Sequence, residues 1–301
     1  MSLFSLMLRH TMKKNDAKAT EGLEPITGVE EINDIIYGKN RRWNVLDIYL
    51  PENKSRESRF PVIVSVHGGA WIYGSKEIYR NYCMSLVQYG FAVINFTYRL
   101  APHYKSPAIL EDTISVFAWL KENAQRYNLD LDNLFAVGDS AGANTLSLFL
   151  NVQDKSPYCS RFNIHGVEGL AVKAVCLNFG VYQVREEHMK VKMFRQMIRQ
   201  YIKGPLVQEN LEALDVASFV TPSFPEAFIL TSNKDFLKDS NPDLLKALDN
   251  NNVKYQYHEY GNEQRELYHC FHLLLKEKEA VEVNKKECEF FKERITPCPK
   301  P

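Results

Sequence analysis

Short apolar runs along the chain alternate with longer stretches in which apolar residues recur every three or four positions. The runs at 45–50, 62–66, 91–96, 134–137, 172–177, 227–231 and 253–260 read as strands. The stretches at 79–88, 108–127, 141–151, 242–249 and 280–292 read as helices. Continuously apolar strands separated by helices predict a mostly parallel sheet covered on both faces. Right-handed crossovers then bring the strand C-termini to one edge, where open α/β sheets carry their sites. Two segments interrupt the alternation. Residues 1–31 are polar and charged after the first turn, with no clear strand. In residues 181–222, Phe194, Met197, Ile198, Tyr201 and Ile202 repeat at helical spacing before Gly204-Pro205 stops the pattern. Both segments are expected to form a small helical cap over the strand edge, within a single domain spanning 1–301.

Composition narrows the function classes. The 301 residues are 45% hydrophobic and 25% charged, which excludes disordered, collagen-like and coiled-coil chains. Lys+Arg and Asp+Glu both number 37, so no basic footprint for nucleic acid is expected. The apolar runs are strand-length, well short of the roughly 18 residues a membrane span needs. Lys13 and Lys14 follow the mildly apolar start instead of preceding it, unlike a secretory signal. Cys83, Cys159, Cys176, Cys270, Cys288 and Cys298 form neither a CxxC pair nor a zinc spacing. A reduced, cytoplasmic protein without a metal or other cofactor is the expectation.

The strongest chemical signal is Gly138-Asp139-Ser140-Ala141-Gly142, between a predicted strand and a predicted helix. This is G-x-S-x-G in the strand–turn–helix context of a nucleophile elbow, where glycines flank a serine in a turn too tight for side chains. The helix N-terminus beneath adds a positive dipole end. His67-Gly68-Gly69-Ala70-Trp71 ends an earlier strand. A serine hydrolase needs backbone N–H groups aimed at the oxyanion of its tetrahedral intermediate. Gly68, Gly69 and Ala141 are the expected donors, with His67 shaping the loop. Trp71 and Tyr73 follow directly; they either line the substrate pocket or pack beneath the cap.

These residues, with Tyr98-Arg99-Leu100-Ala101-Pro102, resemble the hormone-sensitive-lipase-like branch of the α/β-hydrolase carboxylesterases over roughly residues 45–290. The resemblance implies an α/β-hydrolase fold and a serine carboxylesterase cleaving small-molecule acyl esters of short to medium chain length. It also implies that a homodimer is possible. Two departures are evident: Ala70 stands where the usual HGGG loop has its third glycine, and Ala143 follows the elbow where a further glycine is common. Ala70 is expected to narrow the space for bulky alcohol groups.

The remaining triad members should follow in the order acid, then histidine. Asp235 lies just past the predicted strand 227–231 and matches the first aspartate of the family's D-x-L-x-D pattern, with Asp239 as competitor for the acid or as a cap for the next helix. Asp139 is excluded as the acid, since neighbouring side chains on a sharp elbow diverge. His269 follows a loop and resembles the family's H-x-F pattern, with His272 as the alternative base. A metal site at this histidine pair lacks further ligands. Elsewhere, Glu111 and Asp112 point about 100° apart on a helix, which argues for structural roles. Arg195, Arg199 and Lys203 at i, i+4 and i+8 predict a solvent-facing basic stripe. An amidase or peptidase using the same triad, and a non-catalytic binding relative, are the alternative functions.

Overall fold

The computed structural model of the protein describes residues 2–52 and 59–297; Cys298 lies outside that range. Its strands are β1 (Val29–Ile36), β2 (Val45–Pro51), β3 (Phe60–Val66), β4 (Ala92–Thr97), β5 (Leu129–Asp139), β6 (Ala174–Asn178), β7 (Glu226–Ser232) and β8 (Tyr255–Tyr260). The helices are α1 (Leu3–Thr20), α2 (Lys76–Val87), α3 (Ala108–Asn123), α4 (Ala141–Gln153), α5 (Pro157–Phe162), α6 (Lys192–Tyr201), α7 (Gln208–Leu211), α8 (Asn241–Asn250) and α9 (Lys278–Lys292).

The strands form one sheet in the order β1-β2-β4-β3-β5-β6-β7-β8. β1 and β2 run antiparallel to their neighbours, and β4 through β8 are joined by parallel ladders. The pleat explains the continuously apolar runs, because successive side chains meet a helical layer on each face. Val62, Val64 and Val66 of β3 pack with Ile109, Phe117, Leu146 and Phe149 of α3 and α4. Ile63, Val93, Phe135 and Val137 face the other way, onto Leu86 of α2 and Phe291 of α9. The result is the mostly parallel, helix-flanked sheet that the sequence predicts.

The expectation of no strand in 1–31 is corrected: Val29–Ile36 pairs with β2, so residues 29–31 enter the sheet. No position of its sequence VEEINDII is fully buried, and its Glu30 and Asp34 are exposed, as charged residues on edge strands often are. The opposite edge, β8, is equally polar. The predicted helix 108–127 is α3 followed by a 3₁₀ turn at Ala124–Tyr127.

Within the two interrupting segments, α1 and α6 pack together above the strand C-termini. Ser2 Oγ donates to Gln200 Oε1 at 2.9 Å. Arg9 of α1 donates from Nε to the Ile72 carbonyl at 2.9 Å and from Nη2 to the Ala101 carbonyl at 3.0 Å, pinning the helix to two loops. Lys105 closes the C-terminus of α6 by donating to the carbonyls of Arg199 and Ile202, where cations complement the helix dipole. The predicted basic stripe is only partly solvent-facing: Arg199 and Lys203 are exposed, while Arg195 is half-buried and Lys203 lies past the helix end. Glu111 and Asp112 are structural, as expected. Both bind Arg99, and the buried Asp112 also accepts from the Arg99 amide at 2.8 Å.

Candidate active site

Loops after β3, β5, β7 and β8 converge at one edge of the sheet, and each delivers one of the residues singled out in the sequence. Ser140 caps α4 with φ 52° and ψ −118°, a strained conformation for a residue with a Cβ. Its amide donates to the Asn178 carbonyl at 2.8 Å, tying the turn to β6. Only glycine fits two residues later, because a Cβ on Gly142 would lie 2.1 Å from the Val66 carbonyl oxygen of β3.

His269 stands between the serine and Asp235. Ser140 Oγ donates to His269 Nε2 at 2.9 Å, and His269 Nδ1 donates to Asp235 Oδ1 at 2.7 Å. A carboxylate only accepts, so this bond selects the tautomer with the proton on Nδ1. Asp235 is 7% exposed and its second oxygen accepts from Thr231 Oγ1 at 2.8 Å. The Leu237 amide donates to Oδ1 at 3.0 Å. Lys234 N donates to the Leu267 carbonyl, and Asn233 accepts from the Leu267 amide, so the acid and histidine loops are joined directly. Phe179 and Phe236 flank the imidazole with ring centroids at 5.5 and 4.5 Å.

The competing candidates have other places. His272 is fully buried, stacked on Phe179, and burial foremost pushes its pKa down to about 3. Asp239 lines a separate apolar cavity of about 280 Å³ beside Phe236 and forms no cap on α8. His67 shapes its loop as expected: fully buried, stacked on Tyr98, it donates from Nδ1 to the Gly68 carbonyl at 2.7 Å. Burial lowers its pKa to about 4, so it is neutral at physiological pH.

One expected oxyanion donor is corrected. The Gly68 amide is already spent, donating to Tyr79 Oη at 2.9 Å and to Asp139 Oδ1 at 3.2 Å. Positive φ at Gly69, Ala70 and Trp71 (115°, 53° and 60°) turns the following peptides differently. The N–H groups of Gly69, Ala70 and Ala141 have no partner among the described residues. The sequence reading missed Ala70 because peptide direction is set by these dihedrals, which no short motif reveals.

Asp139 anchors this loop from below. Besides Gly68, it accepts from Tyr79 Oη at 2.7 Å and from Cys270 Sγ at 3.3 Å. Burial pushes its pKa up to about 6, against the pull of those donors and of His269. Trp71 does not line the cavity: it is 2% exposed and stacks on Tyr201 of α6, with centroids 5.1 Å apart. Tyr73 does line it. The cavity at Ser140 measures about 320 Å³ and is walled by the β3 loop, α1, α2 and the His269 loop.

Comparison with known proteins bears on the family and the fold. The BD-FAE family model matches residues 46–241. Esterase LipQ of Mycobacterium tuberculosis is 28% identical over 212 residues, covering 68% of this chain and 49% of its own length. The chain thus spans about half the length of that curated relative. Among solved structures, an inhibited esterase B from Lactobacillus rhamnosis superposes with a TM-score of 0.85 at 22% identity, covering 97% of this chain and 96% of its own. An esterase from Pyrobaculum calidifontis gives 0.76, also at 22% identity, covering 96% and 93%. The fold is therefore that of the α/β-hydrolases.

Proposed function

We propose that this chain, which belongs to the BD-FAE family, is a serine carboxylesterase working through Ser140, His269 and Asp235. The observation that carries the reading is the unbroken hydrogen-bond line from Ser140 Oγ through His269 to Asp235, at 2.9 and 2.7 Å. The esterase names of its relatives support the choice of ester over amide.

In this mechanism His269 removes the hydroxyl proton as Ser140 Oγ attacks the ester carbonyl. The Asp235 carboxylate stabilises the imidazolium that forms. Negative charge on the carbonyl oxygen is met by the Gly69, Ala70 and Ala141 amides, each such donor being worth about 3–4 kcal/mol in the transition state. His269 returns the proton to the departing alkoxide, leaving an acyl group on Ser140. Water, activated by the same imidazole, then releases the acid and restores the serine. α1 and α6 act as the cap, and Tyr73 as a pocket residue. A cavity of about 320 Å³ lies near the small end of ligand pockets, typically about 300–1,000 Å³; it supports short- to medium-chain esters. The same proposal places the enzyme in the cytoplasm, in keeping with free thiols at Cys83, Cys159, Cys176, Cys270 and Cys288.

Hydrolysis of 4-nitrophenyl esters across a series of acyl chain lengths, by wild type and Ser140→Ala, tests this reading. Turnover should peak at the shorter chains and fall by roughly 10⁴–10⁶-fold in the variant. Equal rates in the two proteins would refute it.

A further inference from the structure

Helix α1 reaches the active-site cavity with Met12, Asn15 and Asp16. Asp16 is half-buried there, and Tyr73 Oη donates to its Oδ2 at 2.7 Å. Its Oδ1 has no hydrogen-bond partner among the described residues. On the same face, two turns earlier, Arg9 holds the helix in place by donating to the Ile72 and Ala101 carbonyls. The carboxylate therefore stands at a fixed position in the wall.

The other ionisable groups of the wall are Tyr73, Tyr79, Asp139, His269 and Cys270, and no lysine or arginine lines it among the described residues. Asp139 already accepts from Gly68, Tyr79 and Cys270, which leaves Asp16 as the carboxylate with an oxygen to offer a guest. An unpartnered acceptor in a partly desolvated wall rewards a guest that donates a hydrogen bond. It penalises a guest that brings a second negative charge, since no lysine or arginine among the described wall residues neutralises the pair.

On the basis of the esterase reading above, we propose that Asp16 is a specificity-determining residue. It selects esters whose arm under α1 carries a hydroxyl or an ammonium group, and it rejects esters whose arm there carries a carboxylate.

The test compares kcat/KM, measured by titration of released acid, in two substrate series. One varies the alcohol on a butyryl group: 2-hydroxyethyl butyrate, 2-(dimethylamino)ethyl butyrate, whose tertiary ammonium keeps an N–H, and 3-butyryloxypropanoate. The other varies the acyl arm of an ethyl ester: ethyl 3-hydroxybutyrate and monoethyl succinate. The readout is the ratio of donor-bearing to carboxylate-bearing substrate within each protein, so any change in overall activity cancels. In the series whose variable arm sits under α1, wild type should favour the donor by about tenfold or more, and Asp16→Asn should bring the ratio to within about threefold. Tyr73→Phe, which frees the second Asp16 oxygen without removing the charge, should keep a ratio at least as large as that of wild type; a ratio as small as that of Asp16→Asn would overturn the proposal. A ratio near one for wild type in both series, or an unchanged ratio in Asp16→Asn, overturns the proposal while leaving the esterase reading intact. A wild type inert toward every ester, with Ser140 unreactive, overturns both.

Discussion

Glu287 of α9 is a buried carboxyl directly beneath the nucleophile turn, and its replacement by glutamine should change how stability depends on pH. It is 1% exposed; Asn178 Nδ2 donates to its Oε1 at 2.7 Å and Tyr82 Oη to its Oε2 at 3.1 Å. Asn178 is also the residue whose carbonyl accepts the Ser140 amide. Burial pushes the Glu287 pKa from 4.5 up to about 7, with the nearby Asp139 charge adding to the rise and the two donors opposing it. A carboxyl whose pKa is raised by folding binds its proton more tightly in the folded state. Its contribution is therefore complete below about pH 4.5 and is lost as pH rises through 7. At about 1.4 kcal/mol per pH unit, the loss is of order 3 kcal/mol.

Glu287→Gln reproduces the protonated acid. Its oxygen still accepts from Asn178 and its amide donates to Tyr82 Oη, with no charge to desolvate at any pH. For 301 residues, an unfolding entropy near 2.1 cal/mol/K per residue makes 3 kcal/mol worth about 5 °C in Tm. Scanning calorimetry at one scan rate should find wild type and variant melting within about 1 °C of each other at pH 5, and the variant about 5 °C higher at pH 9. A gap that stays constant between those pH values would refute the reasoning, because it would show that the Glu287 charge carries no folding penalty.

Two further outcomes follow from the site geometry. Asp235→Asn cannot accept from His269 Nδ1–H as a carboxylate does, and kcat toward a preferred ester should fall by about 10⁴ while the fold, read by circular dichroism, is kept. Gly69→Ala combines a φ of 115° with a Cβ only 2.1 Å from the Tyr73 carbonyl oxygen; the displaced loop should lower kcat by about 10²–10³ with a smaller change in KM.

The strands that set the site, β3, β5 and β7, were legible because burial on both faces makes them continuously apolar. Ser140 was legible because a sharp strand-to-helix turn admits so few residue types around it. Asp235 and His269 were reachable through chain order and strand-end placement. Other features depend on contacts distant in sequence. β1 hides because an edge strand with exposed acids has the composition of a loop. α1 fully buries only Ser5, so its apolar stripe is too thin to announce that Asp16 would meet Tyr73. The direction of the Gly68 amide is decided by Tyr79 and Asp139, 11 and 71 residues away. Trp71 could be placed beneath α6 only once Tyr201 was seen stacked on it.

The catalytic assignment is tested most directly by treating the folded protein with a fluorophosphonate and mapping the adduct by peptide mass spectrometry. The geometry predicts one adduct, on Ser140, abolished in Ser140→Ala and formed about 10³-fold or more slowly in His269→Ala. An adduct on another residue, or hydrolysis of esters by a protein whose Ser140 stays unlabelled, would contradict it.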